Sequence, residues 1–219
     1  MISRRTFCTM AGATALSACL PQASRAASSV TEVDILGNRS LSRVPEQMGV
    51  RRIALETETT GLGVGHRSIE IGGVEIVGRQ ITGRSFHCYI HPERAICPGA
   101  KTVHGLTEEF LADKPLFGSI AAELIAFISN AELIVHSAKF HVRYLNYELR
   151  LLNHPPLQKI TAAIVDTVSL ARELRPGRKN SFDAIFADYG LEGPKAELSG
   201  AHREAARLAE VYLAMTATR

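Results

Sequence analysis

Apolar and polar positions alternate along the first periodic part of the chain, which predicts a set of β-strands. Residues 53–55 are apolar behind two arginines and predict a buried strand that starts a sheet. Residues 67–77 alternate between apolar and polar side chains, as a second strand should, and residues 85–91 predict a third. Short turns that contain glycine separate these strands, so we expect them to form an antiparallel meander.

Helical spacing of apolar residues predominates in the second half of the chain. Thr107, with the acidic residues that follow it, predicts a helix N-cap. The later predicted elements are helices over 116–128, 136–152, 181–190 and 201–215, strands over 132–135 and 164–167, and a helix that ends near Arg175. Strands that alternate with helices in this way favour an α/β fold.

Two glutamates in the first strand are the first candidates for chemistry. Glu56 and Glu58 are two residues apart, so their side chains point to the same side of a strand. Two buried carboxylates repel each other unless a positive charge lies between them, and hard divalent ions such as Mg²⁺ take oxygen ligands. The alternative is an edge strand with a solvated acidic face.

Composition and charge permit nucleic-acid binding without requiring it. The chain has 219 residues, of which 46% are hydrophobic, and a formal net charge of +3. This length is enough for one well-cored domain with an appended segment. The four cysteines do not form a disulfide framework in a chain of this size, and no Cys/His spacing indicates a zinc site.

Residues 1–28 differ from the rest of the chain and resemble a twin-arginine export signal. The segment Ser-Arg-Arg-Thr-Phe at 3–7 precedes a weakly apolar run at 11–20, which is too short to span a bilayer as a helix. The sequence Leu-Ser-Ala-Cys that ends at Cys19 resembles a lipobox, in which the cysteine is acylated, whereas Ser-Arg-Ala at 24–26 offers an ordinary cleavage site. We therefore expect export, either as a membrane-anchored lipoprotein or as a periplasmic protein.

A start of translation at Met48 is the alternative, and it would keep the protein in the cytoplasm. Residues 29–47 are polar and lack periodicity, so they are interpreted as a linker. The folded domain is then expected over residues 48–219.

Four short motifs resemble one known family. They are Glu-Thr-Glu-Thr-Thr-Gly at 56–61, Val-His-Gly-Leu at 103–106, His-Ser-Ala-Lys-Phe-His at 136–141 and Leu-Ser-Gly-Ala-His-Arg-Glu-Ala at 198–205. Their order resembles that of the DEDDh-type 3′–5′ exonucleases, and within them the proofreading (epsilon) subunits of bacterial DNA polymerase III. The resemblance extends from about residue 51 to about residue 215. It implies a ribonuclease H-like exonuclease fold, which is a single domain with a mixed central sheet flanked by helices.

The resemblance also implies a reaction, a cofactor and a set of site residues. Family members hydrolyse a phosphodiester at the 3′ end of single-stranded DNA with two divalent ions, Mg²⁺ or Mn²⁺, and a histidine base. Carried over residue by residue, the metal positions are Glu56, Glu58, His141 and Glu204, the general-base position is Ser199, and the nucleotide-binding positions are Thr59, Gly61, His104 and Phe140.

Four of the five catalytic positions differ from the family pattern, in which they are Asp, Glu, Asp, His and Asp. Glu56 and Glu204 each add a methylene, which moves a carboxylate by about 1 Å where a catalytic site tolerates about 0.5 Å. His141 offers a neutral nitrogen, which suits Zn, Fe or Ni better than Mg²⁺. Ser199 cannot act as a base near neutral pH, and His202 lies about 200° from Glu204 around a helix.

These departures predict a retained fold with impaired catalysis and weakened metal binding. An active enzyme that uses an altered Glu/His metal site is one alternative, and an exported lipoprotein that serves as a binding module is another. The epsilon subunits continue beyond this domain with a flexible tail that holds them to the polymerase, whereas the sequence stops at Arg219. A stable complex with the polymerase core is therefore not expected.

The N-terminal pattern gives a first testable prediction. We expect the mature protein to begin at an acylated Cys19 and to fractionate with membranes, because several acyl chains anchor a protein stably where one does so only marginally. Mass spectrometry of the N-terminus in the native cells checks this. An intact soluble product that starts at Met48 would rule it out.

Overall fold

The structure of the protein is a computed structural model, which describes residues 49–194 and 198–217. The predicted export signal with Cys19, the linker and the alternative start at Met48 lie outside the described residues. No helix in the described part of the chain is both long enough and apolar enough to cross a membrane.

A mixed five-stranded sheet forms the centre of the domain, as predicted. Its strands are β1 (Arg51–Thr59), β2 (Ser68–Val77), β3 (Gln80–Tyr89), β4 (Glu132–Val135) and β5 (Ala163–Asp166), in the spatial order β3-β2-β1-β4-β5. The first three strands pair as an antiparallel meander, and β4 and β5 run parallel to β1. Because β1 lies in the middle of the sheet, the edge-strand interpretation of its acidic residues is wrong.

Eight helices in the described residues connect and cover these strands. They are α1 (Pro98–His104), α2 (Glu108–Leu111), α3 (Phe117–Ile128), α4 (Ala138–Leu151), α5 (Leu157–Ile160), α6 (Thr167–Leu174), α7 (Phe182–Asp188) and α8 (Gly200–Met215). The predicted cap at Thr107 is present, since its hydroxyl accepts a hydrogen bond from the Phe110 amide. The short helices α1 and α5 were not predicted, because fewer than two turns of helix give no clear apolar period.

The helices bury both faces of β1. Leu55 belongs to a core that includes Phe127 of α3 and Leu145 of α4. Ala54 points to the other face and packs in a core with Leu208 of α8. Residues 54, 56 and 58 share a face because strand side chains alternate, so both strand glutamates lie on the α8 side of the sheet.

Helix α8 touches strand β2 backbone to backbone at Gly72. A Cβ added to this glycine would overlap the carbonyl oxygen of Ala201 and the amide nitrogen of His202. Gly72 is also paired with Glu56 across the β1–β2 ladder. The glycine therefore lets the first turn of α8 lie directly beside the acidic end of β1.

A buried ion pair attaches α4 to the beginning of β2. The Glu148 side chain, which is 1% exposed, accepts hydrogen bonds from the Arg67 guanidinium at 2.8 Å and from the Ser68 amide at 2.9 Å. These bonds satisfy both carboxylate oxygens, as a buried charge requires. Helix α4 is thereby fixed against the meander.

The close approach at Gly72 gives a prediction about stability. Gly72→Ala should lower the free energy of unfolding by about 3 kcal/mol or more, because the new methyl meets rigid backbone that side-chain rotation cannot relieve. Gly99→Ala is the matched control. Its Cβ meets nothing within 4 Å, so in helix α1 it should be neutral or stabilise by up to about 1 kcal/mol. Urea unfolding of both variants measures the difference, and equal midpoints would contradict the assignment.

Candidate active site

Glu56 and Glu58 project from the carboxyl-terminal half of β1 and interact with each other. Burial and, next, the neighbouring Glu58 carboxylate raise the pKa of Glu56 well above its usual range. The Glu204 carboxylate of α8 raises it further. The three acids therefore form one electrostatically coupled cluster, in which negative charge is unfavourable without a positive partner.

A fourth acid, Glu70, faces Glu58 from the adjacent strand. The two residues are paired in the β1–β2 register, and Glu70 is completely buried. Burial and then the charge of Glu70 raise the pKa of Glu58 to about 7. The Oε1 atom of Glu70 lies 2.7 Å from Nε2 of His87, while no hydrogen-bond partner for Oε2 occurs among the described residues.

His141, at the start of α4, lies between Glu56 and Thr57. Its Nε2 atom is 3.1 Å from Oε1 of Glu56, and its Nδ1 atom is 2.9 Å from the Thr57 hydroxyl oxygen. Burial lowers the pKa of His141 to about 4, so the ring is neutral at physiological pH. A neutral imidazole has one N–H donor and one acceptor, so it donates to one of these partners and accepts from the other.

Glu204 lies on the first turns of α8 and is bound by arginines of its own helix. Its Oε2 atom accepts a hydrogen bond from Nη1 of Arg207 at 2.7 Å, and Nε of Arg203 lies 3.6 Å from Oε1. Arg207 also contacts Asp183 at 3.2 Å, and its guanidinium lies 4.2 Å from the ring centre of Phe186. The carboxylate predicted to bind metal is therefore held in an ion pair in this arrangement.

Ser199, at the predicted base position, precedes the first residue of α8. Its side chain is exposed, and its hydroxyl oxygen is 3.3 Å from that of Tyr89. The nearby imidazole of His202 stacks on His87, with 5.1 Å between the ring centroids. No hydrogen bond found among the described residues joins His202 to the hydroxyl of Ser199, so this ring does not act through Ser199 by a direct bond.

The predicted nucleotide-binding residues surround the same end of β1. The hydroxyl of Thr59 is turned inward and donates to the Gly61 carbonyl at 3.0 Å. His104 ends α1, and its ring lies against the Thr59 backbone. Phe140 is half-buried and contacts the His141 ring edge to face, with a centroid separation of 5.1 Å.

Four residues of the site were missed by sequence reasoning: Glu70, His87, Tyr89 and Arg207. In the sequence, Glu70 looks like the solvated half of an alternating strand. The structure buries it because α8 covers that face of β2 at Gly72. The alternating pattern does not show that this face of the strand is covered, so it held no signal that could have found Glu70.

The donor atoms only partly fit a divalent cation. The coupled carboxylates of Glu56 and Glu58 need a positive partner, which a hard cation provides. However, no group of three His, Cys, Asp or Glu side chains in the described residues is spaced to hold one ion. Glu204 already forms an ion pair with Arg207, and both ring nitrogens of His141 already lie within contact distance of Glu56 and Thr57.

Comparison with known proteins identifies the family of this arrangement. The model of the exonuclease (RNase T) family matches residues 53–205. The DNA polymerase III epsilon subunit of Escherichia coli (strain K12) is 44% identical over 173 residues, which cover 76% of this chain and 71% of that protein. The epsilon subunit of Rickettsia typhi is also 44% identical over 173 residues, covering 78% of this chain and 76% of the relative.

Solved structures agree on the fold. Exonuclease X in complex with 5′ overhanging duplex DNA superposes with a TM-score of 0.59 at 25% identity, covering 76% of this chain and 90% of that one. The nuclease domain of 3′hExo, a DEDDh family member bound to rAMP, gives a TM-score of 0.65 at 12% identity, with coverage of 78% and 94%. The chain therefore belongs to the exonuclease family and is an epsilon-like 3′–5′ exonuclease domain.

Proposed function

We propose that this domain binds the 3′ end of single-stranded DNA at the carboxyl end of β1 and that its catalysis is impaired. The observation that supports this most directly is the engagement of Glu204 and His141 by other protein groups. Glu204 pairs with Arg207 at 2.7 Å, and His141 lies 3.1 Å from Glu56. Glu204 and His141 must break these contacts before they bind a cation. The energy of the broken contacts is lost, so the cation is bound more weakly.

Glu56 and Glu58 are the residues that would hold a divalent ion, Mg²⁺ or Mn²⁺. Such an ion, when bound, polarises a phosphoryl oxygen and lowers the pKa of a water. Glu204 would contribute a third carboxylate only after it separates from Arg207. His141 contributes a neutral nitrogen, which Mg²⁺ disfavours in comparison with oxygen. We infer that the cation is bound more weakly than in family members with four acids.

The proton-transfer step lacks a suitable acceptor. The Ser199 hydroxyl is not a base near neutral pH, and it lies 3.3 Å from another hydroxyl, that of Tyr89. General-base catalysis contributes about 10²–10⁴-fold to rates, so its loss alone leaves a slow enzyme.

Binding of the terminal nucleotide depends on groups that the catalytic changes leave in place. We infer that His104, which ends α1 beside the Thr59 backbone, contacts a phosphate or sugar hydroxyl of the terminal nucleotide. The half-buried Phe140 ring lies next to His141 and offers an apolar surface to a base. DNA binding therefore survives in this proposal although hydrolysis is reduced.

An altered but active metal site is the second candidate, and the position of His141 favours it. An imidazole beside a carboxylate suits Zn²⁺ or Fe²⁺ better than Mg²⁺. Hydrolysis of a labelled single strand with Zn²⁺ or Fe²⁺, absent with Mg²⁺ and abolished by His141→Ala, would select this candidate over the impaired one.

The raised acid pKa values predict how stability depends on pH. Since folding raises the pKa of Glu58 to about 7, the folded state holds more protons than the unfolded state between about pH 4.5 and 7. The contribution of Glu58 to the free energy of unfolding is therefore fully present below the pKa of Glu58 in the unfolded state. It is lost as the pH rises through 7. Glu58→Gln should therefore stabilise the metal-free protein by about 1–3 kcal/mol at pH 8 and much less at pH 4.5. Thermal unfolding measures this.

Glu173→Gln serves as the control for this prediction, because Glu173 is an exposed acid of α6. It should change the melting temperature little at either pH. A Glu58→Gln variant that is less stable than the wild type at pH 8 would contradict the assigned repulsion.

Restoring the family pattern tests the proposed function. Glu56→Asp, His141→Asp, Ser199→His and Glu204→Asp together should raise Mg²⁺-dependent 3′–5′ degradation of a labelled single strand by about 100-fold or more. Each change alone should do little, because groups that act as a unit are strongly non-additive. The wild type should show weak activity with Mn²⁺ at most.

The same variant with Glu58→Ala added is the control against a contaminating nuclease, and it should be inactive. Robust Mg²⁺-dependent degradation by the wild type, abolished by Glu58→Ala, would sink the proposal of impaired catalysis. A folded but inactive quadruple variant would overturn the view that only the catalytic positions have changed.

A further inference from the structure

A stripe of basic and polar side chains runs along helix α4, away from the metal positions. We call it the α4 stripe, and its members are Lys139, Arg143, Asn146, Tyr147 and Arg150. Their spacing of three and four residues places them on one face of the helix. The stripe is about 16 Å long at a rise of about 1.5 Å per residue, which is enough to follow several phosphates of one strand.

Within the described part of the chain, the three cations of the stripe have no carboxylate partner. Lys139, Arg143 and Arg150 are exposed, and the ion pairs found among residues 49–194 and 198–217 do not include them. Arg67, in contrast, is bound by the buried Glu148 on the inner side of the same helix. The positive charge of the stripe is therefore not neutralised within the described part of the chain.

The two arginines of the stripe lie near aromatic rings. The guanidinium carbon of Arg143 is 5.6 Å from the ring centre of Tyr144, and that of Arg150 is 5.3 Å from the ring centre of Tyr147. Cations interleaved with aromatic rings are the combination that binds single-stranded nucleic acids, since the cations contact phosphates and the rings stack on bases.

A cavity of about 310 Å³ separates the stripe from the loop that follows β1. Gly63, Val64 and Gly65 line its loop side, and Arg143, Tyr147 and Arg150 line its helix side. Val64, the largest apolar side chain on the loop side, is 90% exposed. The cavity thus has an apolar side, which suits a base, opposite a basic side, which suits a phosphate.

The cavity is connected to the active site through Tyr144. Its hydroxyl accepts a hydrogen bond from the Gly63 amide at 3.0 Å and donates to the Gly63 carbonyl at 3.3 Å. Its ring is 4.8 Å from that of Phe140, which in turn contacts His141. Phe140 and Tyr144 therefore join the proposed terminal-nucleotide position to the cavity beside the stripe.

We propose that the α4 stripe binds the part of a single strand that lies 5′ of its terminal nucleotide. This inference rests on the proposed function, because it assigns a path to the DNA whose 3′ end occupies the active site. Arg143 and Arg150 contact phosphates, and a base enters the cavity against Tyr147. The interaction does not depend on sequence, since every base has a face for stacking.

The experiment measures binding of the full chain to 5′-labelled dT16 by fluorescence anisotropy in EDTA, which prevents hydrolysis. Arg143→Ala/Arg150→Ala should weaken binding by about 10-fold or more. It should also lower the slope of log K against log salt by about 1.4, because each phosphate contact on a single strand contributes about 0.7. Arg143→Lys/Arg150→Lys, which keeps the charge, should restore most of that slope.

Arg172→Ala/Lys179→Ala is the matched control. Arg172 lies on α6 and Lys179 follows that helix, and both side chains are exposed. Helix α6 packs in the core on the face of the sheet opposite to α4. It should bind dT16 within about twofold of the wild type. Thermal unfolding of both double variants should match the wild type, since all four side chains are exposed.

The outcomes separate this inference from the proposed function. Unchanged dT16 binding by the stripe variant, with binding weakened by His104→Ala, would overturn the inference and leave the proposed function standing. Loss of binding in the stripe variant alone would support the inference and count against a 3′-end site at His104. Stripe variants that bind dT16 normally but lose binding to phosphatidylglycerol vesicles would assign the stripe to a lipid surface and overturn the inference.

Discussion

The backbone contact between α8 and β2 at Gly72 determines where the acidic residues of the site can lie. Any side chain at this position would push the helix away from the sheet, because the opposing atoms belong to the backbone of Ala201 and His202. The close approach covers Glu70, brings Glu204 toward the glutamates of β1, and leaves Ser199 beside Tyr89. One glycine on a strand thereby fixes the distance between two of the four family motifs.

That packing brings carboxylates of like charge together, and side chains of this chain relieve the repulsion only in part. Four glutamates occur near one end of β1, and burial of Glu56 and Glu58 makes their ionisation unfavourable. Arg207 neutralises Glu204, and the neutral ring of His141 lies against Glu56 where an acid would add more negative charge. The cluster is therefore less dependent on metal than four unpaired carboxylates would be, although the repulsion between the strand acids is left uncompensated.

The sequence predicted the fold far better than it predicted the contacts within the site. Period-two and period-3.6 patterns located the three strands of the meander, β4, β5 and the longer helices, and the family motifs predicted the mixed sheet. Glu70 was missed because alternation identifies one face of a strand without showing whether a helix covers it. Glu204 and Arg207 have an i, i+3 spacing, which is common for ion pairs on solvated helices. The spacing alone therefore did not show whether Glu204 is a metal ligand or part of a surface ion pair.

Helix α4 carries both the residues proposed for chemistry and those proposed for DNA binding, at different positions along its length. Its first turns supply His141 and Phe140, while its exposed face carries Arg143, Tyr147 and Arg150. The helix is held by the buried pair of Glu148 with Arg67, which involves none of the metal positions. A change from acid to histidine at the start of the helix therefore alters the ligand set without moving the stripe. In the proposed function, chemistry and strand binding depend on different residues of one helix, so the loss of the first would not entail the loss of the second.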